Sequence, residues 1–153
     1  MCFLYSPMIE WALQSIFPAR TFLVGFEDVL HAQKTPDKYS ILNTLPNAEQ
    51  SVLISGTISA SDEEEFINQY INSGNPSNQK TIILYGRNSC DDSPRKKRNQ
   101  LLSLGIGDVF IYSGGLFEWL LLQDIYSKAE FPITTSTTGT VDLLAYRPKR
   151  LLP

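Results

Sequence analysis

The chain has 153 residues, 42% of them apolar and 19% charged, and a formal net charge of −3. That length suits one domain with one core, the charge argues against a nucleic-acid partner, and no run approaches the ~18 apolar residues of a membrane span. Cys2 and Cys90, with His31 the lone histidine, argue against a disulfide framework and a zinc site and for free thiols in a reducing, cytoplasmic setting.

In chain order, Ser6 and Pro7 predict the start of a helix that Pro18 stops, with Ile9, Leu13, Ile16 and Phe17 on one face. Met1 to Ser6 carries no basic stretch, so the start does not read as a secretory signal. Residues 1–25 are thus expected to be a helix and connector packed on the domain. Phe26 to Leu30 reads as a short helix. Tyr39 to Thr44 reads as a strand behind the turn signal Pro36-Asp37, and Val52-Leu53-Ile54 as a second, shorter one. Ser61-Asp62-Glu63-Glu64 has the pattern of a capping box, with Phe66, Ile67, Tyr70 and Ile71 on one face of the helix behind it. Asn72-Ser73-Gly74 stops that helix.

Thr81-Ile82-Ile83-Leu84-Tyr85 is a continuous β-rich apolar run, as expected of a parallel strand buried on both faces. The loop Gly86 to Ser93 leads from it into a helix with Ser93 as its N-cap, Pro94 in its first turn and Gly105 as its stop. Val109 to Tyr112 is the next strand, and Gly114-Gly115 turns the chain into an apolar helix from about Leu116 to Tyr126. This alternation predicts a mostly parallel α/β sheet with helices on both faces. Residues 133–153 read as a Thr/Ser-rich linker (Thr134 to Thr140) and an apolar, basic tail from Val141, docked on its own domain or on a partner.

Tyr85-Gly86, the helix ending Leu101 to Gly105, Val109 and Gly114-Gly115-Leu116-Phe117-Glu118-Trp119 resemble the C-terminal half of rhodanese-like domains. The resemblance extends, more loosely, to Asn43-Thr44-Leu45 and to Ile54-Ser55-Gly56-Thr57-Ile58, covering residues 26–132. It implies a rhodanese-like fold, a central, mostly parallel sheet with helices on both faces. It also implies a site where a strand, loop and helix N-terminus aim backbone amides at one spot, an anion cradle of partial positive charge. In the family that cradle serves a thiolate nucleophile at the strand end, and the matching position here is Gly86.

Glycine offers no nucleophile. The rest of the loop, Arg87, Asn88, Ser89, Cys90, Asp91, Asp92 and Ser93, carries two carboxylates that can occupy the amides themselves and repel an anionic substrate. The first expectation is therefore a non-catalytic module for protein interaction or regulation, with a protein partner and no cofactor. The alternative is a divergent sulfurtransferase moving thiosulfate or persulfide sulfur on Cys90, although the flanking acids oppose a thiolate there. The basic run Arg95-Lys96-Lys97-Arg98 reads as a solvated helix face pairing with Asp91 and Asp92, or as a docking patch for an acidic partner.

Overall fold

The computed structural model describes residues 22–74, 79–135 and 141–153. The expected first helix lies outside them. A four-stranded parallel sheet is built from β1 (Leu23–Val24), β2 (Tyr39–Asn43), β4 (Thr81–Tyr85) and β5 (Val109–Tyr112), in the order β1-β5-β4-β2. Its helices are α1 (Phe26–Lys34), α2 (Ala60–Asn72), α3 (Ser93–Ser103) and α4 (Gly115–Ile125).

The central strand explains the layering. Alternate residues of a strand point to opposite faces, and Ile82, Ile83, Leu84 and Tyr85 are all at most 2% exposed. Ile83 and Tyr85 belong to the core half that contains Val29 and Ala32 of α1 and Leu116, Trp119 and Leu120 of α4. Ile82 and Leu84 belong to the other half, with Tyr70 of α2, Leu101 of α3 and Ile106. An apolar run without polar alternation is what a two-sided sheet requires.

Four expectations change in detail. The helix read as Phe26 to Leu30 continues to Lys34. β3 (Val52–Ile54) does not join the main sheet; it pairs antiparallel with β6 (Ile133–Thr135), Ile54 opposite Ile133. The presumed linker therefore begins as a strand. Thr134 is β-branched and suits a pleated surface, and its hydroxyl bonds both to the Leu53 N–H (3.1 Å) and to the Leu53 carbonyl (3.3 Å). At α2 the N-cap is Ser59, not Ser61. Its carbonyl accepts from the Asp62 and Glu63 amides and its hydroxyl donates to Asp62 Oδ2 at 2.6 Å, so Ser61 falls inside the first turn. At α3 the N-cap is Asp92, because the Ser93 hydroxyl faces Thr44 Oγ1 at 2.7 Å.

Tyr85 joins the two sheets. Its hydroxyl accepts from the Ile54 N–H (3.1 Å) and lies 2.8 Å from Thr57 Oγ1. Burial drives its phenol far above the ordinary range, with the Thr57 and Ile54 hydrogen bonds opposing that shift. A Tyr85→Phe variant leaves the Ile54 amide without this acceptor, and an unpaired buried donor costs about 1–3 kcal/mol. Urea denaturation is expected to show a lower midpoint at unchanged slope.

Candidate functional site

β4 ends at Tyr85, β2 ends beside it at Asn43, and α3 begins at Ser93. The intervening loop sits where open parallel α/β sheets place their ligands, outside the carboxyl ends of the strands. Its centre is occupied by the chain itself. The Arg87 amide donates to Asp91 Oδ2 at 2.8 Å and the Ser93 amide to Asp91 Oδ1 at 2.9 Å. The Asp91 carboxylate fills the cradle an external anion would use.

Gly86 makes room for this. A Cβ built there would lie 2.4 Å from Asp91 Oδ2 and 2.9 Å from Pro94 Cγ. The space of the missing side chain is thus the space of the Asp91 carboxylate. Gly115 holds the loop from the other side. With φ at +65° it adopts a conformation that suits glycine, and a Cβ would come within 2.7 Å of the Gly86 carbonyl oxygen. The close approach lets the Leu116 and Phe117 amides donate to the Gly86 and Arg87 carbonyls, each at 2.9 Å.

Burial by itself would raise the Asp91 carboxyl. The amide bonds from Arg87 and Ser93 and the nearby guanidinium outweigh it and hold the group below its ordinary 3.8. Asp92 is exposed and lies 3.9 Å from Lys96. Cys90 is a free, exposed thiol on the rim, and its amide donates to Asn88 Oδ1 at 3.0 Å. Ser89 is exposed. Asn88 is buried and donates through Nδ2 to the Tyr146 carbonyl at 2.8 Å.

The tail completes the site in cis. A 3₁₀ turn at Leu143–Tyr146 buries Tyr146 against the core half of α4. Arg87 donates to the Ala145 carbonyl at 3.1 Å, lies over the Tyr146 ring at 5.9 Å and pairs with Glu49 at 3.2 Å. Loop and tail together line an open cleft of about 1070 Å³, with Thr44, Glu49, Arg87 and Cys90 among its walls. Glu49 carries no motif in the sequence. The only signal for it is topological, a short turn following the carboxyl end of β2.

Of the solvated face expected for the basic run, Arg95 and Lys96 are exposed and Lys96 pairs with Asp92, but Lys97 and Arg98 are half-buried. Lys97 pairs with Glu63 of α2, Arg98 Nε donates to the Val109 carbonyl at 2.9 Å, and the guanidinium groups of Arg95 and Arg98 lie 5.3 and 4.1 Å from the centre of the Phe22 ring. Among the described residues the acids that pair with this run are Asp92 and Glu63; Asp91 forms no ion pair with it. His31 is exposed, its ring edge-on to Tyr39 at 5.4 Å. No group of three or more His, Cys, Asp or Glu among the described residues could hold a metal ion. No helix among them is long and apolar enough to cross a membrane.

A buried parallel strand that ends in a loop of amide donors and runs into a helix defines an α/β domain of the anion-cradle type. Over residues 27–122 the chain matches the model of the rhodanese-like domain, and it belongs to that family. Solved structures agree on the fold. A full-length Lactobacillus plantarum protein is 22% identical with a TM-score of 0.54, the match covering 84% of this chain and 97% of that one. A Bacillus halodurans protein is 15% identical with a TM-score of 0.55, covering 85% of each chain. A rhodanese-like domain from Anabaena is 18% identical with a TM-score of 0.53, covering 78% and 86%. No curated protein matches the sequence significantly.

Two outcomes test the Asp91 arrangement. Because folding lowers this carboxyl below 3.8, its ionised form stabilises the folded chain above that value, and the contribution disappears as pH falls through the folded value. An Asp91→Asn variant is expected to lose stability at neutral pH and to show a shallower acid limb, read as denaturation midpoint against pH. Gly86→Cys is expected to cost about 1–3 kcal/mol through overpacking. The cost shrinks in an Asp91→Ala background, a coupling that a double-mutant cycle measures.

Proposed function

We propose that this rhodanese-like domain transfers no sulfur and works as a protein-interaction or regulatory module. The observation that carries the reading is the Asp91 carboxylate, which sits on the amides of Arg87 and Ser93 in the space a Gly86 side chain would need. A persulfide or a thiosulfate anion requires that space and those donors. Thiosulfate would also meet a fixed negative charge, a repulsion of about 1 kcal/mol at 4 Å in water and several times more in a drier site.

The scaffold supports the module reading as well. The sheet and its helices are complete around the loop, and the cleft at the strand ends is open and lined by loop and tail together. Cys90 faces a poor setting for nucleophilic work. The amides of Arg87, Cys90, Asp91 and Ser93 already have acceptors within the loop, which leaves them unavailable to a thiolate.

The test is thiocyanate formation from thiosulfate and cyanide by the purified full chain. Wild type, Cys90→Ser and Gly86→Cys are all expected at the uncatalysed background. Turnover by wild type that disappears in Cys90→Ser would establish the sulfurtransferase and overturn the proposal.

A further inference from the structure

We infer that the cleft between the loop and the C-terminal tail is a docking site for an acidic peptide segment with apolar residues. This rests on the module reading above and gives that module a surface and a partner chemistry. The net charge of the whole chain is −3, yet the cleft gathers Arg87, Arg147, Lys149 and Arg150. Among the described residues, Arg147, Lys149 and Arg150 have no acidic partner within salt-bridge distance, and all three are exposed.

The acids that share the cleft are differently engaged. Glu49 pairs with Arg87, and Asp91 is held by two amides. Asp142 accepts from the Leu144 amide at 3.1 Å. With Arg87 paired to Glu49, the three cations Arg147, Lys149 and Arg150 face the two carboxylates of Asp91 and Asp142, so the balance of charge along the cleft is positive. The same wall carries Leu144 and Leu151, 53% and 89% exposed. Cations interleaved with exposed leucines complement a segment in which Asp or Glu alternates with apolar residues. Charge complementarity of this kind directs association and selects partners.

The shape favours a chain segment over a bilayer. An open cleft of about 1070 Å³ between loop and tail accepts side chains from a peptide, whereas a lipid surface needs a convex or flat basic face. The wall is held in place, because Asn88 and Arg87 fix the Tyr146 and Ala145 carbonyls. The cations that follow these residues are thereby presented at a defined position, which reduces the ordering cost of binding.

Fluorescence anisotropy on the full chain tests this with a labelled short peptide of alternating Glu and Leu. Matched peptides of Lys and Leu, and of Gln and Leu, serve as controls. Vesicles with and without phosphatidylserine test the lipid source. The Glu-Leu peptide is expected to bind at low salt and to weaken as salt rises. Its affinity should fall by about tenfold or more in Arg147→Glu/Lys149→Glu. Leu144→Ala, which leaves every charge in place, should weaken binding without changing its salt dependence. Circular dichroism of both variants checks that the exposed substitutions leave the fold intact. Equal affinity for the variant and wild type, equal affinity for the Lys-Leu peptide, or tighter binding to phosphatidylserine vesicles than to the peptide overturns the inference. Thiocyanate formation is read separately, so an inactive chain that fails to bind loses this inference alone, and a chain that turns over loses the module reading.

Discussion

The carboxylate of Asp91 is the interaction on which the loop depends. Two backbone amides that a strand-to-helix connection must aim inward, those of Arg87 and Ser93, find their acceptor in it. Buried amides without acceptors are costly, so an empty cradle would need water or a bound anion to close. Here the chain supplies the anion covalently. The loop then keeps one shape, with the Gly86 and Arg87 carbonyls turned to the amides of Leu116 and Phe117. The side chains of Asn88 and Arg87 reach from the loop to the tail and hold it.

Gly86 and Asp91 fit together as one packing unit. Without the Asp91 carboxylate, the space beside Gly86 would be unfilled and the amides of Arg87 and Ser93 would lack this acceptor. Both costs are avoided when the carboxylate enters that space. The reverse also holds, since Asp91 cannot keep this position beside a larger residue when a Cβ alone would come within 2.4 Å of it. The contact shows a loop whose parts fit one another.

The fold was legible in the sequence where one physical signal dominated. Thr81 to Tyr85 is long, apolar and β-rich, and it becomes the central strand; Gly114-Gly115 before an apolar run becomes the turn into α4. The misread segments are those where tertiary contacts decide. Thr134 belongs to a stretch with linker composition, yet its hydroxyl and β-branch suit pairing with Leu53. Ser61 heads a plausible capping box, but the helix starts earlier, with the Ser59 carbonyl taking the first amides and its hydroxyl on Asp62. The basic run appeared to be a solvated face because nothing local announces that Phe22, far away in sequence, lies under Arg95 and Arg98. The site was legible as a loop, and its acids as candidates for the cradle. Glu49 and the docked Tyr146 were not, since their roles arise only when the strand ends and the tail converge.

That convergence bears on what the tail is for. Tyr146 is 8% exposed and lies in the same core half as Trp119 and Leu120, so the 3₁₀ turn is integral to the domain. The residues after it are in a different position: Arg147, Lys149, Arg150 and Leu151 are exposed along the cleft. A segment fixed by its aromatic anchor and charged beyond it differs from a flexible basic tail, whose ordering would oppose binding. The loop closed by Asp91 fixes the anchor through Asn88 and Arg87. The same loop residues that surround the Asp91 carboxylate therefore also fix the start of the exposed, basic end of the tail.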